Sequence, residues 1–254
     1  MKNITRYLTL TDLFQIKNKN WKIVEYSLGV ILLIYAGLIC YPNLLFAHSI
    51  TYRNYTVYST REIDSSIYSI LDKAEINLST SCINSPTINI KLYLCNNYSL
   101  YFFFAPKSRN AFANNYSIVH NIFISKSDLR RNEAYKNDED NTSVRQLSEL
   151  ITHESTHTLT EKKLGLWKYW MLERWKNEGY SEFIGYNKAV SFSSAKEYLK
   201  LNKNNDKPSV WYQKYYFAVA YLMQIEGMKF DEVIAAQYTL DDVLSRIEIM
   251  KTEN

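Results

Sequence analysis

Residues 147–159 read LSELITHESTHTL. Val144 just upstream, with Leu147, Leu150, Ile151 and Leu159, falls at helical spacing, so the stretch is expected to be a helix with one buried face. His153 and His157 are four apart on it, about 40° apart around the axis and one turn along it. Two imidazoles so placed can reach one ion at about 2.0–2.1 Å from each nitrogen. Glu154, beside the first histidine, can point at a water on the open side of that ion. This is the H-E-x-x-H pattern of a zinc site whose glutamate acts as general base. The chain has 4 histidines, and chance yields the pattern only about 0.004 times. Two solvated or core-packed histidines are the bland alternative.

A zinc ion that does chemistry usually has three protein ligands and an open position. His48 flanks an apolar segment and His120 lies on an expected strand, so both are poor third ligands. Residues 175–183, WKNEGYSEF, offer two carboxylates four apart, Glu178 and Glu182. Between His157 and Glu178 there is room for a turn at Gly165 and a second helix packed on the first.

Upstream, residues 48–60 read as a short extended linker and 62–78 as a helix carrying Ile63, Ile67, Ile70, Leu71 and Ile76. Strand-like runs follow at 88–95, 100–104 and 117–125. Residues 126–141 read as a polar surface loop. Its acidic end, Asp138, Glu139 and Asp140, suits the start of the motif helix, with Asn141 or Thr142 as cap. Downstream, helices are expected over 143–163, 168–189, 193–202, 209–227 and 229–250, punctuated by Gly165, Pro208 and Gly227. Strands first and helices after indicate an α+β domain.

The N-terminal part is different in kind. Residues 26–47 carry no charge, and 28–41 read LGVILLIYAGLICY. About 20 apolar residues span a bilayer as a helix. The chain therefore divides into a basic leader (1–22), a membrane anchor (23–47) and a folded domain (48–254). Lys17, Lys19 and Lys22 precede the anchor, which by the positive-inside rule holds the N-terminus in the cytoplasm and the domain outside. A cleaved signal peptide and a buried core helix are the alternatives. The first is disfavoured because Leu45-Phe46-Ala47 lacks the small residue expected two places before Ala47. Outside the membrane, in an oxidising compartment, Cys82 and Cys95 could pair, or stay unlinked.

Composition is ordinary for a folded protein, 46% hydrophobic and 22% charged, with 6 glycines. That leaves little material for glycine-rich phosphate loops. Lys2, Arg6, Lys17, Lys19 and Lys22 against Asp12 alone account for the whole net charge of +4. The remainder is neutral, which excludes nucleic acid as the main partner.

HESTH followed by NEGYSEF resembles the gluzincin metallopeptidases, the thermolysin-like branch of the zincins. It is most similar to small peptidases whose second helix opens Trp-x-x-Glu-Gly-x-x-Glu. The resemblance implies a zincin-like domain with a small mixed sheet and a mainly helical C-terminal half. It implies that His153, His157 and Glu178 bind Zn2+, that Glu154 is the catalytic base, and that Glu182 orients the first histidine. It also implies a sheet-edge strand that pairs with extended substrate, a place that 117–125 occupies, and a closing helix around 211–222. Thermolysin stabilises the oxyanion with a histidine, and none follows His157, so Tyr212 or Tyr216 is the expected substitute. The activity implied is hydrolysis of a peptide or protein substrate. The alternative is a catalytically silent zincin-like binding module of the cell envelope. Cleavage inside the bilayer is excluded, since Arg145, Glu149 and Glu161 make the motif helix too polar for lipid.

Overall fold

In the computed structural model, residues 10–136 and 143–250 are described, with side chains from residue 21 onward. The chain forms two units, one ending at Leu45 and one beginning at Phe46. The first is a long helix, α1 (Leu10–Cys40), then a 3-10 turn at Pro42–Leu45. Within α1 the 20 residues Trp21–Cys40 are long and apolar enough to cross a membrane. At about 1.5 Å per residue they match a hydrocarbon core of about 30 Å.

The second unit is mixed α and β, mainly helical, with a small mixed sheet. Its five strands are β1 (His48–Tyr52), β2 (Tyr55–Ser59), β3 (Ile90–Leu94), β4 (Ala113–Tyr116) and β5 (Asn121–Ile124), in the order β1-β2-β3-β5-β4. β2, β3 and β5 run parallel, and β1 and β4 are antiparallel edges. One face, with Tyr55, Val57, Leu92, Leu94, Ile122 and Ile124, packs on α2 (Ser66–Leu78) and α4 (Leu147–Leu164). The other carries an aromatic stack. Tyr58, Tyr93 and Phe123 lie ring on ring across three strands, at 4.9 and 5.0 Å. Phe104 of α3 (Tyr98–Phe104) covers Phe123 at 4.3 Å.

α4 runs through the centre, every residue from Leu147 to Glu161 except Glu149 being buried. Its buried threonines keep their hydroxyls bonded along the helix, Thr152 to the Ser148 carbonyl and Thr156 to the Thr152 carbonyl, both at 2.8 Å. After α4 come α5 (Leu166–Met171), α6 (Arg174–Tyr186), α7 (Phe192–Leu201), α8 (Pro208–Gln224), α9 (Phe230–Ala235) and α10 (Leu240–Ile249). Gly165 ends α4 and Gly227 turns the loop between α8 and α9, at φ 79° and 71°, which glycine adopts at little cost. Pro208 opens α8.

Several expectations change. Residues 48–60 are a hairpin, not a linker, turned at Arg53 (φ 52°). Residues 100–104 are helical, not a strand. A short apolar run has no decisive period, and Asn97 tips the balance by accepting the Leu100 N–H at 2.8 Å as a cap. Only Asn121–Ile124 of 117–125 is a strand, because His120 takes φ 54° and ends the extended run. The loop at 126–136 contains β6 (Lys126–Asp128) and β7 (Glu133–Tyr135), which with β8 (Val144–Gln146) form a three-stranded antiparallel sheet.

That small sheet starts α4. Asn132, in the β6–β7 turn, accepts from the N–H groups of Leu147 (2.8 Å, carbonyl) and Ser148 (2.9 Å, side chain). The helix therefore begins at Leu147 rather than 143. The acidic run at 138–140 and the caps Asn141 and Thr142 lie outside the described residues. The helices expected over 168–189 and 229–250 are each two, α5 with α6 and α9 with α10. Cys82 is exposed and Cys95 buried, both free thiols.

Candidate metal centre

The centre is made by α4 and α6. His153 and His157 point their Nε2 atoms at one another, 3.2 Å apart. Glu178 Oε2 lies 3.4 Å from each of them. Ligand atoms about 2.0–2.1 Å from a tetrahedral ion stand roughly 3.3–3.4 Å apart, so the triangle has the size of one tetrahedron face. These residues could hold a metal ion.

The remaining ring nitrogens are engaged from behind. His157 Nδ1 has Asn177 Oδ1 and Ser181 Oγ each at 3.2 Å. His153 Nδ1 has Glu182 Oε1 at 3.3 Å, off the line of a hydrogen bond. A proton on each Nδ1 leaves each Nε2 lone pair for an ion, the arrangement that orients histidine ligands. Glu182 is itself clamped by Arg145, whose guanidinium donates at 3.1 and 2.7 Å. Asn177, Glu178, Ser181 and Glu182 recur at i, i+1, i+4 and i+5, so one face of α6 supplies a ligand and three supports.

The helices meet closely because α6 carries small residues where it touches its neighbours. A Cβ on Gly179 would lie 2.5 Å from the Tyr215 carbonyl oxygen of α8, and one on Gly185 3.2 Å from the Glu149 carbonyl oxygen of α4. Gly179 follows Glu178 directly, so the α6–α8 approach sets the position of the third ligand.

The charges are mutually adjusted. Burial holds the Glu154 carboxyl above the usual carboxylate range, against the pull of His153 and His157. Burial opposes a charge on His157, but Tyr169, Glu178 and Glu154 outweigh it and hold its pKa well above the ordinary value. Burial likewise opposes a charge on Glu178, and the two histidines reverse that and hold it low. A positive charge between the two histidines and Glu178, whether a proton or a dication, therefore suits the buried carboxylates.

His153, Glu154, Arg174 and Tyr212 line a cleft of about 590 Å³ together with residues 107–113. Tyr212 Oη accepts from Arg174 at 3.4 Å. Tyr216 goes elsewhere: its hydroxyl donates to the Lys188 carbonyl at 3.3 Å and its ring packs on Tyr186. Of the two tyrosines, only Tyr212 is brought to the cleft. The sheet edge beside α4 is β4, not the 117–125 run, because β5 is paired on both sides. Asn115 of β4 is tied to α4 through the Glu154 carbonyl (2.8 Å) and Thr158 Oγ1 (3.0 Å). Arg145 and Tyr169 enter from other elements, β8 and α5, and leave no local sequence signal, whereas Arg174 lies on α6 one turn before Glu178. Asn177 and Ser181 were not singled out in the sequence, though helical spacing around Glu178 on α6 could have found them. No protein-family model and no curated protein matches the chain.

Proposed function

We propose that this chain is a membrane-anchored zinc metallopeptidase of the gluzincin kind, with a zincin-like domain held outside the membrane by the helix at 23–47. The observation that carries the reading is the triangle of His153 Nε2, His157 Nε2 and Glu178 Oε2, with edges of 3.2–3.4 Å. The basic leader at 17–22 puts the N-terminus in the cytoplasm.

Zinc, when bound, acidifies a water and polarises the scissile carbonyl. The rest is the work of the chain. Glu154, buried beside both histidines with its pKa held above the usual carboxylate range, takes a proton from the attacking water and returns it to the leaving amine. Tyr212, in the cleft wall, donates to the developing oxyanion, with Arg174 beside it. An extended substrate pairs with the open edge of β4, where Ala113 lines the cleft. Glu182 and Arg145 position His153.

The test is the metal content of the purified full chain. About one zinc per chain is expected, lost in His157→Ala and kept in Glu154→Gln, with peptide hydrolysis lost in both. A well-folded wild type that takes no zinc after reconstitution overturns the reading. Zinc binding without turnover on any peptide library reduces the chain to a silent binding module.

A further inference from the structure

We infer that α3 is a membrane-docking element, seating Phe102 and Phe103 in the headgroup region of an anionic bilayer. This rests on the reading of Trp21–Cys40 as a membrane anchor. The helix has the sequence YSLYFFF and carries no charge. Tyr101 and Phe104 turn into the protein, while Phe102 and Phe103 stand 48% and 37% exposed on the opposite side. Two adjacent exposed phenylalanines on one short helix form a contiguous apolar patch, the kind of surface that marks an interaction site. At a membrane interface such an apolar face sinks a few ångströms into the boundary between headgroups and chains.

Chain connectivity names the occupant. Only residues 41–45 separate the end of α1 from Phe46. Fully extended, that link spans at most roughly 22 Å, whatever the orientation of the two units. Phe46 is the first residue of the folded unit and is fixed within it, 7% exposed, against Tyr93 at 5.1 Å and Phe104 at 5.9 Å. Phe103 contacts that same Phe104 ring at 5.0 Å. Phe103 is thus one ring away from the residue that the tether ties to the anchor, and Phe102 is its neighbour in the chain. Charge agrees. Lys107 and Arg109 follow α3, both exposed, and neither forms an ion pair among the described residues. They suit anionic headgroups. They also line the cleft, so docking presents the site to segments of membrane proteins just outside the bilayer.

The test uses the full chain in vesicles of phosphatidylcholine and phosphatidylglycerol. Cys40→Ala and Cys82→Ser remove the other accessible thiols, and Cys95 is buried. An environment-sensitive fluorophore is placed in turn at Leu33→Cys, Phe102→Cys and Met171→Cys. The last lies on α5, whose exposed Trp167, Trp170 and Met171 make no ring contact with the Phe46 cluster among the described residues. Lipids doxyl-labelled near the headgroup are expected to remove most emission from position 102 and little from 171, while deep labels quench 33. Quenching at 33 without quenching at 102 overturns the docking and leaves the anchor standing. No quenching at 33 removes the anchor and the docking with it. Quenching at 171 in place of 102 moves the contact to α5. Shielding of 102 from iodide without lipid quenching assigns the face to a second protein and overturns the bilayer as occupant.

Discussion

Glu182 connects His153 to Arg145, and a single atom change there separates its two roles. Glu182→Gln leaves the Arg145 guanidinium buried without its counter-charge, a loss of about 3–5 kcal/mol by analogy with broken buried pairs. It also weakens the acceptor behind His153, for which a roughly 10–100-fold loss of metal affinity is expected. A thermal melt reads the first and a competitive zinc titration the second. The two tyrosines allow a sharper comparison. Tyr212→Phe should lower kcat by about 10²-fold or more with zinc retained. Tyr216→Phe, whose hydroxyl among the described residues serves the Lys188 carbonyl, should leave kcat unchanged and lower stability by about 1 kcal/mol. Equal kcat in both variants rules out Tyr212 as the oxyanion donor.

At the scale of elements, the site depends on how closely α6 fits between its neighbours. Gly179→Ala forces a methyl against the Tyr215 carbonyl and Val219 Cγ2, so α6 and α8 must separate. A cost of about 1–3 kcal/mol is expected, together with weaker zinc binding because Glu178 moves with its neighbour. A variant that melts lower yet binds zinc with wild-type affinity would show that α6 yields without carrying the ligand along. The start of α4 shows a different dependence: its first N–H groups are satisfied by Asn132, a residue of another element. The small antiparallel sheet thereby holds the end of the helix that presents the histidines.

For the whole molecule, the core of the second unit closes on itself from Phe46 onward. Residues 46–254 expressed alone are expected to fold and to bind zinc with the affinity of the full chain. Sedimentation and metal content check this, and an insoluble or metal-free fragment would tie the centre to the N-terminal unit. If α3 docks as inferred, the fragment should also hydrolyse soluble peptides as the full chain does and lose its advantage only on membrane-borne ones.

The histidine pair, the two glutamates four apart on α6 and the membrane-length apolar segment were all legible in the sequence. Each lies within a single helix, where 3.6 residues per turn settle which side chains share a face. The change of composition from leader to domain is equally local. Tertiary structure alone decided that β4 and not β5 is the sheet edge, that Tyr212 and not Tyr216 reaches the cleft, and that Arg145 faces Glu182. It also decided that residues 100–104 coil into a helix over the aromatic stack. In each case the outcome depends on which distant element becomes a neighbour. Local periodicity carries no record of that choice, because it is made by burial summed over the whole core.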